Sequence, residues 1–361
     1  MSKMCASFMI RTLIVIVLCV LLGISASAHP GSGIVVDKDG QVFFTDTGRG
    51  VWKIDGQGNL TYLPASLFHW MAIDEAGNFA ESQKSFGEWF ERVTPQSSKP
   101  VLIISSDFPL TIGKDGNIYY AYTRPGSARI IRRSPNGNES ILVSNENFRE
   151  ASGIAAGPDG SLYVTDASHP GSSVIRKITM NGKLSIFAGS DILAVGRDRT
   201  VAPPPESEAG YCRGLAVDPE GTVYVAATGD RRVLRVTPKG GVSTILQAPS
   251  PWSPTGVTVF RGEVYVLEWQ DAPVSQLDVR RAWIPRVRKV GRDGKVTTLA
   301  TVSREAAPAA SPSASPPVSP ANGSSFSSGV TIVIAVGIGL AAAAVLGIKF
   351  AKRRTASRTA H

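Results

Sequence analysis

The sequence predicts an all-β fold: a six-bladed β-propeller of four-stranded antiparallel blades, followed by a single C-terminal transmembrane helix. Three observations carry this expectation. Six turn glycines, Gly40, Gly77, Gly116, Gly160, Gly221 and Gly262, recur at intervals of 37, 39, 44, 61 and 41 residues, the repeat length of a propeller or solenoid. Each lies between two short apolar runs. In the clearest copy, Ile154-Ala155-Ala156 and Leu162-Tyr163-Val164 flank Pro158-Asp159-Gly160, where proline sets φ, aspartate bonds its own turn and glycine takes φ > 0. Nothing between His29 and Ser303 sustains a 3.6-residue period, which argues against α/β alternatives.

From the N-terminus, residues 1–28 read as a cleaved signal peptide. Lys3 and Arg11 precede the apolar run Thr12–Ile24, and Ala26-Ser27-Ala28 supplies the small residues of a processing site. Residues 29–303 hold the blades. Their inner strand pairs are Ile34–Asp37 with Val42–Asp46, Met71–Asp74 with Phe79-Ala80, and Leu110–Ile112 with Ile118–Tyr120. The later pairs are Ile154–Ala156 with Leu162–Val164, Leu215–Asp218 with Val223–Val225, and Val257–Val259 with Val264–Val266. Third strands mix basic with β-branched residues, as in Val174–Ile178 and Val233–Val236. Fourth strands follow hairpin signals such as Asn181-Gly182 and Gly240-Gly241. Such continuous apolar runs suit strands buried on both sides between stacked blades. The 61-residue interval contains one insertion, Ser190–Gly210, long enough to expect a lid, a binding loop or a disordered excursion.

Residues 304–329 are rich in Ala, Ser and Pro, a composition that buries no core and reads as a disordered stalk. Val330–Ile348 is uncharged and apolar, close to the roughly 20 residues a helix needs to cross a bilayer. Lys349, Lys352, Arg353, Arg354 and Arg358 then make residues 349–361 a basic tail, which the positive-inside rule assigns to the cytoplasm. The propeller is therefore expected to be extracellular or periplasmic, held to the membrane by the C-terminal helix.

The net charge of +9 is mostly a property of the ends. Two basic residues precede Ala28 and five follow Ile348, so 31 of the 38 Lys and Arg face all 29 Asp and Glu in between. A near-neutral propeller does not call for nucleic acid or another polyanion. Cys212 alone lies outside the signal, so the domain stands on packing without an internal disulfide.

Chemistry is expected on the face where chain enters each inner strand and leaves each second strand. Asp46, Asp166 and Glu268, at the ends of second strands, and Glu150, before an inner one, are candidate general bases or ligands for Ca2+ or another divalent cation. Aspartate at such positions also caps turns. Asp166 and Glu150, with His169, which titrates near neutrality, are the candidate catalytic groups. Arg49, Arg124 and Arg213 suit bidentate binding of a carboxylate or sugar acid. Ser152 adds a hydroxyl, and Trp70 and Trp269 are candidates for an aromatic platform.

Three segments resemble NHL repeats: Asp46–Asp55, Arg213–Gly221, and Ile175–Ile178 followed by Ser185–Gly189. The resemblance spans about residues 30 to 302 and extends to the SMP-30/gluconolactonase-like and strictosidine-synthase-like propellers. It implies a ligand- or protein-binding module, with the partner a protein, a glycan or a small molecule. The alternative it implies is a metal-dependent lactonase or lyase. SMP-30-like enzymes hold a divalent ion with Glu, Asn and Asp placed before successive inner strands. The corresponding segments here are His29–Ser32, with no acid, Glu150–Ser152, with no Asn, and Tyr211–Arg213. The triad is therefore not present in register, Glu150 could supply one ligand only, and the metal site of an enzyme would be non-standard.

Overall fold

The computed structural model describes residues 30–303, apart from residues 48, 88, 96–99, 125–126, 146–149, 170–171, 204–208 and 272–282. The signal peptide, stalk, transmembrane helix and basic tail expected from the sequence lie outside the described residues. Among those described, no helix is long and apolar enough to cross a membrane.

Six antiparallel sheets follow one another along the chain. Blade one holds β1 (Ile34–Val36), β2 (Val42–Asp46), β3 (Gly50–Ile54) and β4 (Leu60–Leu63). Blade two holds β5 (Trp70–Asp74), β6 (Glu91–Val93) and β7 (Val101–Ser105). Blade three comprises β8 (Leu110–Ile112), β9 (Ile118–Arg124), β10 (Ser127–Arg133) and β11 (Glu139–Asn145). Blade four comprises β12 (Ala151–Ala156), β13 (Leu162–His169), β14 (Ser172–Ile178) and β15 (Leu184–Ala188). After one helical turn, α1 (Ser190–Leu193), blade five runs β16 (Leu215–Val217), β17 (Val223–Ala227), β18 (Arg232–Val236) and β19 (Val242–Gln247). Blade six runs β20 (Trp252–Phe260), β21 (Glu263–Asp271), β22 (Trp283–Val290) and β23 (Val296–Thr301). Five sheets have four strands in meander order. The inner strands β1, β5, β8, β12, β16 and β20 neighbour one another in that order, and β20 meets β1 to close the ring.

Strand alternation explains why the second strands are apolar throughout. Successive side chains point to opposite faces, and in a propeller each face meets a different blade. Phe43 packs with Met71, Leu102 and Ile104 of blade two. Its neighbour Phe44 packs with Leu267, Trp269 and Trp283 of blade six. Comparable clusters fill the interfaces between blades two and three, three and four, four and five, and five and six. Burial between blades is the main term holding the ring, since each fully buried large apolar side chain contributes about 1.5–3 kcal/mol.

Blade two departs from the sequence reading. Phe79-Ala80 forms no second strand, because Asp74 holds the chain in turns: its carboxylate accepts from the Gly77 amide at 2.9 Å and the Phe79 amide at 2.7 Å. Phe79 instead stacks on Phe86, and Phe86 on Phe90, inside the interface with blade three. The second position passes to β7, which pairs with β5 from Trp70↔Ser105 to Asp74↔Val101, and β6 lies outside it. Among the described residues this blade has three strands, in the order β5-β7-β6.

The insertion after blade four is pinned to blade five at both ends. Arg232 Nη2 donates to the Leu193 carbonyl and Nη1 to the Val195 carbonyl, both at 2.8 Å. Asp230 accepts from Arg197 Nε at 2.8 Å and from the Gly210 amide at 2.9 Å. Cys212, behind it, is buried, and burial pushes its thiol up to about 12.

Candidate functional site

One cross-strand geometry recurs toward the ends of the second strands. In blade one an acid closes the second strand and in blades four and six an acid stands three residues before its end, and the third-strand residue opposite the position two before that acid turns a donor onto it. The pairs in register are Phe44↔Trp52, Val164↔Arg176 and Val266↔Arg288. Trp52 Nε1 donates to Asp46 Oδ2 at 2.9 Å, Arg176 Nε to Asp166 Oδ2 at 2.6 Å, and Arg288 Nη2 to Glu268 Oε1 at 2.5 Å. Glu268 takes a second partner, Arg286 Nε, at 2.8 Å. All three acids are buried.

Each of these acids thus meets a donor from the next strand of its own blade. Among the described residues no three His, Cys, Asp or Glu side chains gather as metal ligands. Asp46, Glu150, Asp166 and Glu268 form no such group, although the Glu150 amide donates to Asp166 Oδ1 at 3.3 Å. Trp70 and Trp269, expected as a platform, are buried in blade interfaces. The Trp269 indole donates to the Gly31 carbonyl at 2.9 Å, across the seam of the ring. Ser152 is buried too, its hydroxyl donating to the Cys212 carbonyl at 2.7 Å. Arg49 is half-buried beside Asp46, its amide donating to the Asp46 carbonyl at 2.9 Å. Arg124 ends β9 and His169 ends β13; their side chains lie outside the described set.

Asp46 differs from its two counterparts because its partner is neutral. Burial lifts its carboxyl from 3.8 to about 6, and the Trp52 hydrogen bond and the Arg49 charge pull only part of the way back. The folded state thus holds the proton more tightly than the unfolded chain. Asp46 should favour folding most below its ordinary 3.8, and that advantage should fade as pH rises to about 6 and stay lost above it. The span is on the order of 3 kcal/mol. Thermal melts across this range should show Asp46→Asn lacking the slope that wild type carries, and parallel curves would refute the assignment.

What the structure does bring together lies at the channel mouth. Arg213, just before β16, reaches across to blade one, where Nη1 donates to the Pro30 carbonyl at 2.7 Å. Its charge is felt by Glu150 of blade four and His69 of blade two. Tyr211 lies beneath the guanidinium, 6.0 Å from ring centroid to Cζ. Glu150 is exposed at the rim. Partial burial of its carboxyl raises its pKa, Arg213 offsets part of the rise and Asp166 adds to it. The His69 Nδ1–H donates to the Ser106 carbonyl at 2.6 Å, and burial holds the ring below its ordinary pKa, favouring the neutral form.

Comparison with known proteins agrees with this architecture. Teneurin-3 of Mus musculus is 23% identical over 229 residues, covering 59% of this chain and 8% of that protein. Teneurin-1 of Gallus gallus is 24% identical over 232 residues, again 59% and 8%. The chain thus matches less than a tenth of the length of these relatives. Among solved structures, a luciferin-regenerating enzyme superposes with a TM-score of 0.50 at 15% identity, covering 77% of this chain and 95% of that one, a likeness of fold alone. The family model for the teneurin NHL domain matches residues 23–237, well over half of the chain and most of the ring just described, and the protein is accordingly a member of the teneurin NHL domain family.

Proposed function

We propose that this protein is a membrane-anchored, extracytoplasmic NHL propeller that binds a protein partner through the loop face around Arg213. The observation that carries the reading is the composition of the mouth. An exposed acid, Glu150, a half-buried phenol, Tyr211, and a buried guanidinium, Arg213, come from adjacent blades to one place. Aromatic and arginine anchors inside a polar rim are the makeup of protein-binding hot spots. Membership of the teneurin NHL domain family supports a binding module, and the apolar Val330–Ile348 followed by five basic residues supports the anchor.

Two measurements test it. A photo-crosslinking residue placed at Glu150 in the full chain on cells should trap a partner protein. One placed at Glu220, in the turn between β16 and β17 on the opposite face, should not; equal trapping at both would sink the face assignment. Protease added outside intact cells should release the propeller by cutting between residues 306 and 328, and a protected propeller would overturn the topology.

A further inference from the structure

We propose that Asn59 and Asn138 are acceptors for asparagine-linked sugar, placed on the face of the ring opposite the mouth. The proposal rests on the propeller being extracytoplasmic, the side of the membrane on which such acceptors are used. Both asparagines begin the pattern Asn-X-Ser/Thr, as Asn59-Leu60-Thr61 and Asn138-Glu139-Ser140, and neither middle residue is proline.

The pattern coincides with one repeated turn. In blades one, three, four, five and six the third and fourth strands are joined in the same way. The amide of the first turn residue donates to the carbonyl of the fifth, and the amide of the fourth donates to the carbonyl of the first. The fourth residue is in each case a glycine with positive φ. A Ser or Thr stands two places beyond the fifth residue in all five turns. The fifth residue itself is Lys183, Gly241 and Lys295 in blades four, five and six, and asparagine in blades one and three. Of these five turns, those two alone complete the acceptor pattern.

Both turns leave room for a bulky, hydrated group. Asn59, Thr61, Asn138 and Ser140 are all exposed. A Cβ on Gly56 or Gly58 would meet nothing within 4 Å, and one on Gly137 would meet the tip of Arg133 at 3.7 Å. Asn59 Nδ2 donates one proton to Asp55 Oδ2 at 3.0 Å and keeps a second for replacement. The transfer forms a bond from Nδ2 to the anomeric carbon of a sugar and breaks that carbon's bond to phosphate in a lipid-linked donor. The departing phosphate keeps the electron pair, and the Nδ2 proton passes to solvent.

Strand register fixes the face. The pairs Val36↔Val42, Val42↔Ile54 and Ile54↔Leu60 lie at one end of blade one, so the Asn59 turn sits on the side of the β1–β2 turn, away from the mouth. Ile112↔Ile118, Ile118↔Arg133 and Arg133↔Glu139 place Asn138 likewise in blade three. Sugar at these two points covers part of the far face and leaves the mouth clear for a partner.

The test takes the full-length chain from the cells that make it, releases asparagine-linked sugar with an amidase in heavy-oxygen water and maps the peptides by mass. Occupied asparagines become heavy-oxygen aspartates, and both Asn59 and Asn138 should do so. Asn59→Gln and Asn138→Gln should each remove one step of gel mobility, and the double variant should lose both. Thr61→Ala should remove the Asn59 step while leaving that asparagine in place, whereas Thr61→Ser should keep it. Unlabelled asparagine at both positions, or an Asn59 step that survives Thr61→Ala, overturns the assignment. Bare sites in a propeller that external protease releases would sink the acceptors and leave the topology standing. A propeller sealed from that protease would sink the topology on which they rest.

Discussion

Gly256→Ala should open the ring at its seam, at a cost of about 3 kcal/mol or more, the upper end of what forced overpacking does. No strand is shared between the first and last blades, since each sheet is built from contiguous chain. The seam therefore depends on β20 lying close against β1. A Cβ on Gly256 would sit 2.3 Å from the Ser32 carbonyl oxygen and 3.0 Å from Ile34 Cγ2. The first of these is backbone and cannot swing aside. Relieving the clash pushes blade one outward, which also draws the Gly31 carbonyl away from Thr255 Oγ1 at 2.7 Å and Trp269 Nε1 at 2.9 Å. Both donors are buried, and a buried donor that loses its acceptor costs about 1–3 kcal/mol. Gly153→Ala meets the Arg213 carbonyl at 2.5 Å between blades four and five and should behave alike. Gly56 has nothing within 4 Å of a built Cβ, so Gly56→Ala is the control, expected within about 0.5 kcal/mol of wild type. Urea denaturation of the three variants decides the matter, and a Gly256→Ala midpoint equal to that of Gly56→Ala would mean that the seam tolerates separation.

The blades were legible in the sequence for the same reason that they are stable. A strand buried on both faces must be apolar at every position, and its hairpin needs a residue with positive φ; Gly40, Gly116, Gly160, Gly221 and Gly262 all have it. Gly77 has it as well, and there the signal misled. A turn glycine after an apolar strand looks the same whether the chain returns as a strand or, as here, is captured by the Asp74 carboxylate. The true second strand, Val101–Ser105, lies beyond a long excursion and carries no turn signal of its own. The site was legible by position more than by state. Asp46 could be placed at its strand end from the repeat alone, whereas β13 and β21 run on three residues past Asp166 and Glu268, to His169 and Asp271; the arginines of the third strands were visible too. That the two sets meet depends on register, which puts Arg176 opposite Val164 and Arg288 opposite Val266.

Glu268→Gln separates a structural acid from a functional one by the sign of its effect. Glu268 is fully buried between two guanidiniums that are themselves only 13% and 12% exposed. Arg286 is further held by stacking on Trp252, 3.8 Å from Cζ to the ring centroid, so it cannot turn out to solvent when its acid is lost. Glutamine keeps the shape and some hydrogen bonding but removes the charge that balances both cations. Breaking a buried pair in this way costs about 3–5 kcal/mol, because the partner is left as an uncompensated buried charge. Asp166→Asn, which leaves only Arg176 unbalanced, should cost less. Replacing Glu268, Arg286 and Arg288 together by leucine should recover most of the loss, since the desolvation cost of all three charges goes with them. An acid kept for catalysis or metal binding behaves in the opposite way: its neutral variant is as stable as wild type or more so, as local repulsion and desolvation are relieved. Denaturation midpoints for the single and triple variants therefore suffice, and a Glu268→Gln protein at least as stable as wild type would return this residue to the list of candidate reactive groups.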